Sequence, residues 1–99
     1  MRIVIKNPAP LGEKLIKWGD YHFGRSLSKY LERLGCEVVT HYHQDWQMAS
    51  PADVVLVLRG RHPYTVQKGS GPLHVMWNIS HPEDVRDEEY AQYDIVLIA

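Results

Sequence analysis

Cysteine is almost missing from this 99-residue chain, where Cys36 stands alone. One thiol excludes an intrachain disulfide framework and fits a reducing compartment. Cys36 falls where a strand should begin after a helix, as an inert packed thiol would. Long apolar runs are also missing: none approaches the ~18 residues of a membrane helix, so no membrane span is expected. The opening "MRIVIKNPAP" enters a strand directly and lacks the apolar stretch of a signal peptide. The expected location is the cytoplasm. Charge of one sign is not in excess, with 11 Lys and Arg against 12 Asp and Glu for a net −1. A nucleic-acid or membrane-surface binder would carry a basic excess or stripe, so neither partner is expected. No GxGxxG follows the first strand. "GSG" (69–71) lacks the Lys and Ser/Thr of a phosphate loop and precedes a strand. Nothing therefore calls for a cofactor.

What is present is a globular domain. The chain is 44% hydrophobic and carries little net charge, which argues against disorder. "RIVIKN" (2–7) is β-branched and is stopped by Asn7 and Pro8, a first strand. "PAPLGEKLIKWG" (8–19) reads as a long irregular loop. Phe23, Leu27, Leu31 and Leu34 then share one helical face, predicting a helix over about 21–34 with Asp20 as N-cap and Gly35 as C′ residue. Further strands are expected at 36–43, 53–60, 73–80 and 94–99, with an acidic short helix between the last two. The third strand is nearly all apolar, as a strand covered on both faces should be. The connections 44–52 and 61–72 are short for crossover helices and predict a single turn or irregular chain. The fold class is thus α/β: a Rossmann-like, open, mainly parallel five-stranded sheet in a single domain. Ending near an apolar strand with no closing helix, the chain reads as a fragment or one half of a larger protein.

In such a sheet, ligands bind where the strands end. Asn7 ends the first strand, Arg59 and Gly60 the third, and Asn78, Ser80 and His81 the fourth. The segment "WGDYHFG" (18–24), with Gly19, Asp20 and His22, arrives at the same rim. His22 sits in the first helical turn, where the dipole favours a neutral imidazole that could take a proton from a hydroxyl. A solvent-facing first-turn histidine explains it equally, and a capping role explains Asp20. Arg59 and Arg61 flank Gly60 and suit phosphate or carboxylate, or form an ordinary solvated turn. Ser80 could cap the next helix ahead of Pro82, or Asn78 and His81 could bind a polar substrate. His41 and His43 alternate on a strand, but no third ligand accompanies them, so no metal site is expected.

Taken together, "WGDYHFGRSLSKYLERLGCEV", "DVVLVLRG" and "MWNISHPEDVRDEEYAQYDIVLIA" resemble the amino-terminal half of bacterial group-1-type glycosyltransferases of the GT-B fold. The resemblance runs from about residue 18 to the end. It implies two facing Rossmann-like domains with the active site between them. The carboxy-terminal domain would bind most of the nucleotide-sugar donor, and the amino-terminal domain would receive a sugar or glycan acceptor. Carried onto this chain, it makes Asp20 and His22 the catalytic candidates. Arg59, Asn78 and His81 would line the acceptor side of the cleft; together with the other rim residues Asn7, Gly19, Gly60 and Ser80 they are the substrate-binding candidates. The donor-binding half is absent from these residues, so the chain alone is expected to be inactive. Two other readings stay open: a stand-alone flavodoxin-like binding or regulatory module, and a structural domain that self-associates. A receiver domain is disfavoured, because Asn7-Pro8 and Arg59-Gly60 stand where acidic residues would be needed. An uncovered fifth strand would favour a homodimer of the isolated chain.

Overall fold

The computed structural model describes residues 1–67, 69 and 71–98. Ser70 of the "GSG" segment and Ala99 of the expected fifth strand lie outside the described residues. The apolar runs form β1 (Arg2–Lys6), β2 (Glu37–His41), β3 (Val54–Arg59), β4 (Leu73–Asn78) and β5 (Ile95–Ile98). They make one sheet in the order β2-β1-β3-β4-β5, with every neighbouring pair parallel. Helix α1 (Gly19–Arg33) links β1 to β2, and the four-residue α2 (Asp87–Tyr90) precedes β5. The architecture is α/β and Rossmann-like, as the alternation of apolar strands and helical pattern predicts. Among the described residues no helix is long and apolar enough to cross a membrane.

Strand alternation sorts the side chains to two faces. Ile3, Ile5, Leu56, Leu58 and Val75 form a cluster with Leu27 and Leu31 of α1. Val55, Val57 and Met76 turn the other way, against Trp46, Tyr64, Val66 and Tyr93 from the loops. Val57, Leu58 and Met76 are fully buried, each contributing about 1.5–3 kcal/mol relative to exposure. The described residues of the connections after β2 and β3 are irregular apart from one 3₁₀ turn at His43–Asp45, as their length predicts.

Three local expectations need correction. The helix begins before its expected start at 21: α1 starts at Gly19, its N-cap is Trp18, and Asp20 lies inside the first turn without capping through its side chain. Leu34 is the C-cap of α1 and stays largely exposed rather than joining the apolar face. His43 has left β2 for the 3₁₀ turn, and its ring stacks on His62 at 3.9 Å. The helix stop, by contrast, has the expected form. Gly35 has φ +90°, its N–H bonds Glu32 O, and Cys36 N–H reaches back to Leu31 O, a Schellman motif. Cys36 is a half-buried free thiol packed with the α1-side cluster.

Candidate functional site

The connection after β1 covers one face of the sheet and the connection after β3 covers the other. The chain therefore leaves these adjacent strands toward opposite faces, and their carboxyl ends are the topological switch point, where open α/β sheets form their ligand crevice. Asn7 builds its floor. Wholly buried, its side chain donates from Nδ2 to Asp20 O (3.0 Å) and accepts from Ala9 N–H at Oδ1 (3.0 Å). Its backbone O takes the Trp46 Nε1–H bond at 2.7 Å. Asn7 thus fastens the first turn of α1 to the end of β1, a positioning role rather than a ligand contact. Gly24 makes this possible: a Cβ there would lie 2.3 Å from Asn7 Nδ2. That close approach explains a glycine in a helix interior, where it costs about 1 kcal/mol against alanine.

Held this way, Asp20 projects its carboxylate across the crevice. A Cβ at Gly60 would lie 3.2 Å from Asp20 Oδ2, 3.4 Å from Pro8 Cγ and 3.5 Å from Ser80 Oγ. Residues from α1 and from the loops after β1, β3 and β4 so meet around a buried glycine. Burial raises the Asp20 pKa above the usual carboxylate value, and the charges of His81 and Arg61 oppose that rise. Gly19 is exposed beside Asp20 at the helix start. His81 adopts φ 53°, ψ 48°, the one non-glycine residue with positive φ among those described. Such a conformation is costly for a side-chain-bearing residue and often marks a working site. Ser80 does not cap the following turn. His81 is the N-cap there and makes no side-chain cap bond, while Pro82 takes the first position.

Other candidates lie elsewhere. His22 is exposed, and its Nε2–H donates to Ile16 O at 2.6 Å, leaving Nδ1 as the nitrogen able to take a proton. Arg59 is not a free guanidinium. It is 3% exposed, grips Glu89 through Nε (2.6 Å) and Nη2 (3.1 Å), and donates Nη1–H to Gly60 O (2.7 Å). Asn78 is buried on the same face and donates to Tyr90 OH at 2.8 Å, with Oδ1 unpartnered among the described residues. Both residues brace α2 against the sheet. Of the two arginines flanking Gly60, it is Arg61 whose charge reaches Asp20, alongside that of His81. Parity held the signal: Arg59 follows Val55 and Val57, and Asn78 follows Met76, onto the face away from α1.

For a metal, the described residues offer His81, Glu83 and Asp84, with donor atoms within 4.8 Å of one another on an exposed turn. Exposed acidic turns of this kind are ordinary. No protein-family model matches the chain, and no curated protein or solved structure matches it either.

Proposed function

We propose that this chain is the acceptor-side, amino-terminal domain of a GT-B glycosyltransferase. Its crevice would receive a sugar hydroxyl for transfer from a nucleotide-sugar. One observation supports the reading above others: the Asp20 carboxylate faces the bare Gly60 and Ser80 at the β1/β3 switch point. A carboxylate made more basic by burial accepts a hydroxyl proton better than a solvated one. Gly60 is buried and lets Asp20, Pro8 and Ser80 close together around it, so a sugar would meet the outward rim of Asp20 and Ser80. The Ser80 hydroxyl can donate to or accept from its oxygens, and Arg61 can meet an anionic group. His22 is a second candidate base, through Nδ1 alone.

The leaving pyrophosphate of a nucleotide-sugar must also be stabilised. The reading assigns that task to a donor-binding half. On its own the domain should bind acceptor and not turn over. Exposed Ile95 and Leu97, on the α1 side of the edge strand β5, favour self-association of the isolated chain. The strand order 2-1-3-4-5 also suits a flavodoxin-like binding module, which is the competing reading.

Titrating the ¹⁵N-labelled chain with a panel of mono- and disaccharides separates the two. Transferase-type sugar binding should move the Gly19, Asp20, Gly60, Ser80 and His81 amides, and Gly60→Val should abolish the shifts. With a donor-binding half present, Asp20→Asn should slow transfer about 10²-fold, and His22→Gln distinctly less. The opposite ranking would move the base to His22. Sugars that leave the crevice amides unmoved would end the reading.

A further inference from the structure

The face of the sheet away from α1 holds a second feature, independent of the crevice. Helices normally cover both faces of a parallel sheet. Here the connections after β2 and β3 are too short to supply them, and irregular chain spans the gap. It leaves a hollow of about 470 Å³, within the size range of small-molecule sites. Val4, Val55 and His74 form its floor as a row across β1, β3 and β4, because Val55 is in register with both of the others. Ala52 and Tyr64 stand at its sides.

Two buried polar residues of this lining, His74 and Lys6, set its character. His74 is 6% exposed, and although its backbone N–H is held by Asp94 (2.8 Å), its ring bonds no described residue. Neither ring nitrogen is among the sealed, partnerless atoms of the described residues, and the ring lines the hollow, where an entering group can bond it. Lys6, two residues beyond Val4, is 2% exposed. Its Nζ meets His41 Nδ1 (2.9 Å), Trp46 O (2.7 Å) and Met48 O (3.1 Å), with no carboxylate among these partners. No Asp or Glu occurs in the described lining. The hollow is therefore apolar in body and positive in sign.

We propose that it binds a small amphipathic carboxylate, whose head accepts a hydrogen bond from the His74 ring and whose apolar body lies across Val4 and Val55. His74 and Lys6 stand on strands separated by β3, so one head group does not bridge them. Lys6, its donors already engaged, acts through its field, which favours an anion over a cation in this poorly solvated place.

Sodium octanoate, octanamide and octylamine make a matched set of probes. In titrations of the ¹⁵N-labelled chain, octanoate should shift the Val4, Val55 and His74 amides saturably. It should bind at least about tenfold tighter than octylamine, with octanamide between. His74→Leu should weaken octanoate about tenfold while sparing octanamide more, and Ala52→Phe should exclude all three by filling the space. If His74→Leu fails to fold, Ala52→Phe and the wild-type ranking still decide. Equal affinity for octylamine overturns the proposal, as do shifts confined to the exposed β5 face or no saturable shift at millimolar probe.

Discussion

On the α1 side of the sheet, Ile3, Ile5, Leu56, Leu58 and Val75 meet Leu27 and Leu31 with no charge in the cluster. On the opposite side, Lys6, His41, Arg59, His74 and Asn78 are all buried among the aromatic residues of the loops. The contrast follows from what covers each face. A helix satisfies most of its own backbone groups, so its neighbours need only fit. Irregular chain does not, and its buried carbonyls need donors from elsewhere. Lys6 serves the Trp46 and Met48 carbonyls, and Arg59 serves Gly60 O. Polar side chains on that face stand in for helical hydrogen bonds.

Replacing Glu89 by Leu gives the hardest test of this contrast. Arg59 would remain buried with its charge unpaired, and unfolding by urea should show a loss of about 3–5 kcal/mol. Lys6→Met should follow at about 3 kcal/mol, since two carbonyls and an imidazole nitrogen lose a donor together. A loss below about 1 kcal/mol would mean that loop carbonyls on this face are hydrated rather than served by Lys6. On the α1 side the sensitive point is steric. Gly24→Ala should cost about 1–3 kcal/mol despite alanine's better helix propensity, because Asn7 must be displaced. The same variant should shift the Asp20 amide resonance; a stabilised protein would refute the contact.

Protonation supplies the smallest effect, and it again falls on the loop-covered side. Burial, reinforced by Lys6, holds His41 below its ordinary 6.5, and burial with His43 does the same to His62. The unfolded chain therefore takes up these protons first as pH falls. Stability should be full above pH 6.5 and decline as pH drops below it toward the lower folded values. Asp20, with its raised pKa, acts in the opposite sense in the acid range above 3.8. Thermal melts between pH 7.5 and 5.5 should show a falling midpoint, reduced in His62→Gln. A flat profile would contradict the burial of these imidazoles.

The candidate site's arrangement was half legible in the sequence. Asn7, Asp20, Gly60 and Ser80 could be assigned to one rim because strand ends and helix starts are local features, and parallel strands bring them together. Arg59 and Asn78 could not be told from rim residues by position alone. Their direction depends on the alternation of β3 and β4 and on which face α2 covers. Gly24 carried a signal, a glycine inside a helical pattern, but no hint of the Asn7 amide that requires it. Lys6 gave none, because a lysine at a strand end is normally solvated.

What the sequence by itself determined is the set of elements and the expectation of a mainly parallel sheet, since apolar alternation, the helical period and the Gly35 stop act over a few residues. Only the tertiary structure decided which polar groups are spent inside and which stay available. That choice turns on the sheet's two faces, one roofed by a self-satisfied helix and the other by chain whose carbonyls draw nearby cations inward.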